Sequence, residues 1–278
     1  MQTELVSIGM PVYNGENYIA AAIDSIRQQS YANFELIICD NASTDKTEEI
    51  CRVQAAADHR IRYHRNSTNL GAAPNFNLAV DLAKGDLFKW AAHDDIHRPD
   101  YLEVCVDALT QDETLVWAHT QCVDIDEGDR EITVKRERID LGSWQAHRRF
   151  ADAIIVNHPC FSVFGVIRMA ALRNTTLIGS FVASDRVLIA QLALQGRYFE
   201  APRRSFLHRQ HLQRSTVSEA SMADRLQWFN PNTKMEWPNK VLLREYWKSI
   251  GRYTLPKRQR VMCYLHLARW LAQGGQSF

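Results

Sequence analysis

The sequence predicts an α/β fold with a mostly parallel central sheet, followed by a helical C-terminal region. Two patterns lead to this prediction. Over the first 120 residues, short β-rich apolar runs alternate with segments of helical periodicity, which is typical of parallel strands joined by helices. From residue 234 to the end, apolar side chains recur at helical spacing among nine Lys or Arg residues and only two acids.

Five strands are predicted in the first part of the chain, each a short and mostly apolar run bounded by polar or turn-forming residues. They cover residues 5–10, 34–39, 61–64, 87–91 and 115–119. Helices are predicted where apolar residues recur three and four positions apart, over residues 15–29, after residues 45–48 and over residues 75–83.

Polar residues and a glycine predict where these helices begin and end. Asn14 is expected to cap the first helix, and Glu16 suits the positive end of its dipole. Asp45 and Glu48 form a capping-box pattern for the second helix. Gly85 is a natural stop for the third.

The second half of the chain has a weaker pattern. Residues 127–157 are charged and irregular, and we expect loops and one helix there, lying over the face that binds ligand. A helix is predicted over residues 183–195. Two C-terminal helices follow, the first built on Leu242, Leu243, Tyr246, Trp247 and Ile250, and the second, amphipathic one on Val261, Tyr264, Leu265, Ala268 and Leu271.

Composition limits the function. The formal net charge of +1 gives no signature of nucleic-acid binding over the chain as a whole. None of the six cysteines forms a CxxC pair, and most lie in apolar runs, so we expect buried, reduced thiols and a cytoplasmic protein. Neither a signal peptide nor a stretch of about 20 apolar residues is visible.

Three polar segments each follow a predicted strand, and this is the strongest functional signal. They are residues 11–14, 40–45 and 93–95. Ligands of open parallel sheets bind beyond the carboxyl ends of the strands, so the three segments should meet at one cleft. Tyr13 offers an aromatic face for a nucleobase, Asp40 offers an acceptor, and Asp94 and Asp95 offer hard oxygen ligands for Mg²⁺ or Mn²⁺.

Each of these residues also has a purely structural interpretation. Tyr13 could pack a turn, Asp45 could serve only as a helix cap, and an adjacent Asp pair is often a solvated turn. The position of Asp94 and Asp95, between an apolar strand and a helix start, favours a functional role, because two charges at a half-buried point need a partner.

Taken in order, these segments resemble glycosyltransferase family 2. The opening segment VSIGMPVYNGE over residues 6–16 looks like the family's first motif, and FELIICDNASTDKT over residues 34–47 looks like its second. Residues 69–71, 83–86 and 94–95 follow in the expected order. The resemblance is strong over residues 5–125 and traceable to about residue 216. It implies a GT-A, Rossmann-like domain over residues 1–216, with a helical, basic region over 217–278.

The resemblance also implies roles for individual residues in binding a nucleotide-sugar donor. Pro11, Tyr13 and Glu16 would line the nucleotide pocket. Asp40 would contact the base. Asp94 would be the metal-side carboxylate of the family's Asp-any-Asp motif, with Asp95 near the ribose or the donor sugar.

The sequence departs from the family pattern at one position. Ala92 stands where the first Asp of that motif usually stands, so metal binding could be weaker or completed from elsewhere. Arg209-Gln210-His211 resembles the family's Arg-any-His segment, which makes His211 the candidate for the missing metal ligand or for a phosphate contact. His208 is its competitor, and a packed or solvated His is the simpler interpretation of either.

Asp185 is the candidate catalytic base. It lies at the head of the helix over residues 184–195, where the family places its Glu-Asp catalytic pair. The alternative is that Asp185 only caps this helix. The resemblance implies an inverting transfer of a sugar to a hydroxyl of a saccharide or lipid-linked acceptor, in bacterial surface polysaccharide or other glycoconjugate synthesis.

Two other functions fit the same residues. A sugar nucleotidyltransferase would usually carry a Gly-rich, basic phosphate loop after the first strand, where this chain has Tyr13-Asn14-Gly15-Glu16. A non-catalytic nucleotide-sugar scaffold is suggested by Ala92. The basic C-terminal helices could lie on an anionic membrane as a peripheral contact, or pack on the domain with solvated basic residues.

Overall fold

The computed structural model describes residues 4–135, 139–212, 228–229 and 237–275. Its strands are β1 Val6–Val12, β2 Phe34–Asp40, β3 Ile61–Arg65, β4 Leu87–Trp90, β5 Ile96–His97, β6 Leu115–Ile125, β7 Glu131–Lys135, β8 Val166–Arg168 and β9 Arg197–Arg209. Its α-helices are α1 Ile19–Arg27, α2 Thr47–Ala57, α3 Ala72–Leu82, α4 Tyr101–Gln111, α5 Ala146–Ile155, α6 Met169–Arg173, α7 Ser184–Gln195, α8 Pro238–Arg252 and α9 Lys257–Ala272, with a 3₁₀ turn at Phe161–Phe164.

The predicted parallel sheet is confirmed. The strand order is β3-β2-β1-β4-β8-β6-β9-β5, with β7 paired to β6. Strands β3, β2, β1 and β4 are parallel neighbours, so their carboxyl ends point to one edge. Every residue of β1 and β2 is buried, as expected for strands covered by helices on both faces.

Alternate side chains of these strands enter two separate apolar clusters. Ile8 and Met10 pack with α1 and α4 on one face, whereas Ile37 and Cys39 pack towards α3 and α7 on the other. Helix α7 is buried along nearly its whole length, which explains why its apolar residues show no single-sided pattern.

The second half of the sheet is mixed, which the sequence pattern did not predict. Strand β8 runs antiparallel to both β4 and β6, and β9 runs parallel to β6. Strand β6 continues six residues beyond the predicted end at residue 119, and β7 returns along it as a hairpin within the segment that we expected to be loops and a helix. The predicted helix in that segment is α5.

Three predicted helix signals act differently in the structure. Helix α1 begins at Ile19 rather than at Gly15, and Asn14 is not its cap. Asp45 accepts a hydrogen bond from the Thr47 amide at the start of α2, but Glu48 bonds Arg52 instead of closing a capping box. Helix α3 ends before Gly85, whose missing Cβ makes room for the Leu5 carbonyl oxygen, 2.3 Å from the Cβ position.

Both predicted C-terminal helices are present, but α9 packs with a different face from the one expected. Cys263, Leu267 and Trp270 are buried in the same cluster as Tyr246 of α8 and residues of α7. The predicted apolar residues Val261 and Leu265 are 58% and 56% exposed. The division of the chain at residue 216 stays a prediction, although α8 and α9 share their apolar cluster with the sheet.

Other expectations concern thiols and membranes. All six cysteines are buried and free, as predicted. Burial raises the pKa of Cys39 and of Cys105 to about 12, which makes these thiols inert. Across the described part of the chain, we find no helix with the length and apolarity needed to cross a bilayer.

Trp270 tests whether α9 is an integral part of the core. Its side chain is 1% exposed and meets Tyr246 edge-on, with 5.5 Å between ring centroids. Trp270→Ala should lower the free energy of unfolding by about 3–5 kcal/mol, because it leaves a large cavity. Trp247→Ala, at a 59% exposed position, should cost no more than about 1 kcal/mol. Chemical denaturation measures both, and equal losses would contradict the assignment of α9 to the core.

Candidate active site

The three polar segments predicted to meet do lie at one edge of the sheet. They follow β1, β2 and β4, which are adjacent parallel strands. Pro11 lies near the end of β1, opposite Cys39 of β2. The pairing of β1 with β4 ends before Pro11, so the missing N–H of this proline removes no hydrogen bond between β1 and β4. Tyr13 is 46% exposed just beyond it.

The loops after β1 and β2 hold each other through backbone amides. The Asn14 amide donates to Ser43 Oγ at 2.9 Å, and the Thr44 amide donates to Asn14 Oδ1 at 2.8 Å. The Glu16 amide donates to Asp45 at 3.0 Å, while Glu16 accepts from the Lys46 amide at 2.9 Å. Asp45 therefore joins two loops as well as starting α2, and Glu16 is already engaged within the protein.

Asp40 is fully buried and makes several hydrogen bonds. Its carboxylate accepts from the Ser43 amide at 2.8 Å, from the Tyr63 hydroxyl at 2.5 Å and from Arg65 at 2.8 Å. Burial raises the pKa of Asp40, but the hydrogen bonds from Ser43, Tyr63 and Arg65 outweigh it and lower the pKa below the usual range. Asp40 thus stays charged and fixed at the end of β2, and its contact with a base stays a prediction.

A network of asparagine side chains supports the neighbouring loop, and sequence reasoning missed it. Asn41 donates to Asn69 at 2.8 Å and accepts from Asn66 and from the Leu70 amide. Asn66 also bonds Asn75 at 3.0 Å. Four asparagines within 35 residues beside a strand end were a visible signal. Their amides fix residues 66–71 next to the end of β2.

Asp94 and His211 meet in the structure, although 117 positions separate them. His211 Nε2 lies 2.9 Å from Asp94 Oδ2, and the His211 side chain is 4% exposed. Burial raises the pKa of Asp94, but the neighbouring His93 and the hydrogen bond with His211 outweigh it and lower the pKa. His93 itself lies against Gly15, where a Cβ would come within 2.6 Å of its ring.

Asp95 contacts a different residue from Asp94 and is 2% exposed. Its carboxylate accepts a hydrogen bond from the Arg209 amide at 3.0 Å. Burial, followed by the negative charge of Asp94, raises the pKa of Asp95 well above its usual value. The predicted contact of Asp95 with the ribose or donor sugar stays a prediction, and the role visible here is to attach β9 to the loop after β4.

Arg209 organises this loop, a role that sequence reasoning did not assign to it. Its buried guanidinium donates to the Asp94 carbonyl oxygen at 2.9 Å and to the carbonyl oxygens of Asp126 and Glu127. It also pairs with Asp129 at 2.6 Å and lies 4.8 Å from the centre of the Tyr18 ring. The signal was the Arg at the start of the Arg-any-His segment.

Beneath the Asp pair lies a buried lysine that we also missed. Lys89 of β4 is 1% exposed, and its Nζ contacts the Trp90 carbonyl oxygen at 2.9 Å and His97 Nε2 at 2.8 Å. Burial lowers the pKa of Lys89 to about 7, and burial followed by the charge of Lys89 lowers that of His119 to about 3. A Lys within the apolar run of residues 87–91 was the available signal.

The remaining candidates lie on other elements. Asp185 is half-buried in the first turn of α7 and accepts a hydrogen bond from the Arg186 amide at 2.8 Å. Arg186 in turn holds the loop before the 3₁₀ turn through Asn157 and the His158 carbonyl oxygen. His208 pairs with Asp124 at 3.1 Å rather than with Asp94.

His208, Asp124 and Cys122 are also the group of three potential metal-ligand side chains found among the described residues, with their ligand atoms within 4.8 Å of one another. Lys135 lies 3.3 Å from the Asp124 carboxylate, so a cation there would compete with an ammonium group.

Comparison with known proteins identifies the family. The family described as Glycosyl transferase family 2 matches residues 7–173, well over half of the chain. The chain belongs to glycosyl transferase family 2. One of its curated relatives is glycosyltransferase GlyG of Streptococcus pneumoniae serotype 4, which is 34% identical to this chain over 101 residues. The matched residues cover 36% of this chain and 34% of GlyG. The chain therefore matches about a third of that relative's length.

Two solved structures show that the fold is GT-A. Staphylococcus aureus TarS 1–349 in complex with UDP-GlcNAc superposes with a TM-score of 0.68 at 17% identity, covering 96% of this chain and 72% of TarS 1–349. Mannosyltransferase PcManGT from Pyrobaculum calidifontis, in complex with GDP-Man and Mn²⁺, superposes with a TM-score of 0.62 at 19% identity, covering 100% of this chain and 77% of PcManGT.

Lys89 should make stability depend on pH in a defined window. Its pKa is about 10.4 in the unfolded chain and about 7 when folded. Between these values the unfolded chain binds a proton that the folded chain does not, so stability falls as the pH is lowered from about 10 to about 7. In Lys89→Met this slope, about 1.4 kcal/mol per pH unit, should disappear. Exposed Lys84→Met is the control, and urea unfolding across this range is the measurement; an unchanged slope in Lys89→Met would refute a neutral buried Lys89.

Proposed function

We propose that this protein is an inverting glycosyltransferase that moves a sugar from a nucleoside-diphosphate sugar to a hydroxyl group of a saccharide or lipid-linked acceptor, with Mg²⁺ or Mn²⁺ as cofactor. The observation that supports this most directly is the contact between Asp94 and His211 beside the loops that follow β1 and β2. Nucleotide-sugar complexes are known for TarS and PcManGT, which share the fold.

The residues present fit a divalent metal ion. Asp94 Oδ2 and His211 Nε2 lie 2.9 Å apart, a separation at which one ion can bind both atoms, and His211 Nδ1 is buried without a partner among the described residues. One carboxylate and one imidazole leave room for phosphate oxygens and water, as in sites that bind metal together with a substrate diphosphate. The nitrogen ligand favours Mn²⁺ over Mg²⁺. Such an ion would neutralise charge on the departing diphosphate.

The donor would lie across the loops that follow the strands. Tyr13 offers its exposed ring to the base, beside Pro11 and Glu16. Asp40, held ionised by Tyr63 and Arg65, offers an acceptor to a base or ribose donor. Asp95 supports the loop from within and keeps its proposed place near the ribose or donor sugar. Because the loops after β1 and β2 are joined by amide hydrogen bonds, little ordering remains to be done when a donor binds.

Asp94 and His211 can be tested by metal-dependent binding. Asp94→Asn and His211→Ala should each weaken Mn²⁺-dependent binding of a nucleoside diphosphate by about tenfold or more, because the first removes the anionic charge of one ligand and the second removes the other ligand. His208→Ala and the exposed Asp81→Asn are matched controls and should bind as the wild type does. Calorimetry with and without Mn²⁺ gives the values. Equal effects of His211→Ala and His208→Ala would exclude His211 as the second ligand.

Asp185 is proposed as the general base. An alcohol is a weak nucleophile at neutral pH, so its proton must leave as the new glycosidic bond forms. The acceptor oxygen attacks the anomeric carbon, the carboxylate takes the proton, and the bond to the diphosphate breaks on the opposite side, which inverts the configuration. Asp185 suits this role because it is half-buried on the first turn of a helix whose body is packed in the core.

Asp185→Asn keeps the shape and the hydrogen bond with the Arg186 amide but removes basicity. It should lower kcat by about 10²- to 10⁴-fold while leaving donor Kd and melting temperature unchanged. The exposed Asp107→Asn serves as the control. Transfer near the wild-type rate would leave Asp185 with only a structural role in the first turn of α7, whose N-cap is Ala183. Slow hydrolysis of the donor separates the alternatives. Release of pyrophosphate instead of nucleoside diphosphate would favour the nucleotidyltransferase, and release of no product at all would favour the scaffold.

The acceptor and the location follow from the proposed reaction. Curated relatives include chondroitin synthase of Pasteurella multocida, so we propose synthesis of a bacterial surface polysaccharide or glycoconjugate. Nucleotide sugars are cytoplasmic metabolites, and we propose that the protein works in the cytoplasm, in peripheral contact with the membrane where a lipid-linked acceptor would lie.

A further inference from the structure

Helix α9 has two apolar faces, and only one of them is used by the fold. Cys263, Leu267 and Trp270 are at most 2% exposed and pack into the core. On the other side of the helix lies an outer stripe made of Val261, Leu265, Ala268 and Leu271. Its three large members, Val261, Leu265 and Leu271, are 58%, 56% and 52% exposed. A second apolar face of this helix is therefore largely exposed within the described part of the chain.

Aromatic side chains of α8 extend the outer stripe. Helices α8 and α9 pack against each other as a hairpin, with Asn239 at the start of α8 bonded to the Gly274 carbonyl oxygen beyond the end of α9. Trp247 is 59% exposed and lies against Tyr264, with 4.6 Å between ring centroids. Trp237, which is 83% exposed, precedes α8 at the Leu271 end of the hairpin. Trp and Tyr are the residues that favour the interface between lipid and water.

The hairpin that carries the outer stripe is strongly basic. Residues 237–275 contain Lys240, Arg244, Lys248, Arg252, Lys257, Arg258, Arg260 and Arg269, which is eight basic residues, against one acid, Glu245. Glu245 is already paired with Arg244 and Lys248. Arg258 and Arg269 are exposed and fall on one flank of the outer stripe at helical spacing.

We propose that the outer stripe of α9, with Trp247 and Trp237, is a docking surface for an anionic lipid bilayer. A basic, amphipathic surface with interfacial aromatics inserts its apolar side chains among the acyl chains while its Lys and Arg contact anionic headgroups. A second copy of this chain is a poorer occupant, because each hairpin carries eight basic residues against one acid, so two hairpins would repel each other. The proposal rests on the peripheral membrane contact of the proposed function, which it assigns to named residues, and it does not depend on Asp94, His211 or Asp185.

Vesicle sedimentation tests the proposal on the full chain. The wild type should bind vesicles that contain phosphatidylglycerol, should bind far less to phosphatidylcholine vesicles, and should be released by high salt. The combined change Val261→Ser, Leu265→Ser and Leu271→Ser should lower the partition coefficient by about tenfold or more. The combined change Arg258→Gln and Arg269→Gln should lower it by about 25-fold, near fivefold for each residue.

A matched control carries the same kind of change at exposed apolar positions outside the α8–α9 hairpin. Val53 of α2 and Ile132 of β7 are 64% and 58% exposed, and Val53→Ser with Ile132→Ser should leave the partition coefficient unchanged. All variants should keep the wild-type melting temperature and nucleotide affinity, because the changed side chains lie outside both the core and the cleft. Retained nucleotide binding in a variant that has lost vesicle binding separates this proposal from the donor site.

Two results would overturn the proposal. One is vesicle binding that is equal in the wild type and in both hairpin variants. The other is a change of oligomeric state: by light scattering the wild type is a dimer and the triple Ser variant is a monomer, while vesicle binding is the same in both. That result would make the outer stripe an interface between two copies of the chain.

Discussion

The candidate site depends on the hydrogen bonds of one buried residue, Arg209. This residue lies at the end of β9, and its guanidinium donates to the Asp94 carbonyl oxygen in the loop after β4. The backbone amide of Arg209 donates to the Asp95 carboxylate in the same loop. A buried guanidinium must have its hydrogen bonds satisfied, since the cost of leaving it unpaired is several kcal/mol. The same side chain reaches the hairpin turn through Asp126 and Glu127, so three distant segments have one relative position. His211, two residues later, is thereby brought to Asp94.

A second constraint is the way in which the loops of the site satisfy one another. The loops after β1 and β2 exchange amide hydrogen bonds with Asn14, Ser43, Asp45 and Glu16, and the asparagine network does the same for residues 66–71. Loops at a strand end have unpaired backbone groups, and here side chains from the neighbouring loop supply the partners. The cleft is therefore formed by elements that are already ordered, which lowers the entropic cost of binding a nucleotide.

The C-terminal hairpin shows how one sequence region can have two physical roles. Trp270 and Leu267 complete the core on one side of α9, so the hairpin is held rigidly against α5 and α7. The opposite side remains apolar and basic, although nothing in the described fold covers it. Because α9 is already folded and packed on the domain, it can bind a membrane without first having to form a helix there. The conformational entropy lost in forming α9 is therefore offset by packing within the domain.

Much of this protein was determined by local sequence. The parallel strands, the helices between them and the meeting of three polar segments at one edge follow from residue periodicity and from strand order, since parallel strands necessarily end together. Asp94 and Asp95 were chosen as candidate site residues in the same way.

Tertiary structure decided what periodicity cannot encode. Asp94 contacts His211 whereas its neighbour Asp95 accepts from the Arg209 amide, and only the packing of the end of β9 against the loop after β4 decides which of the two carboxylates meets His211. The buried face of α9 likewise could not be read from its sequence, because its two stripes are both apolar and the choice between them depends on which one fits the cluster around Tyr246.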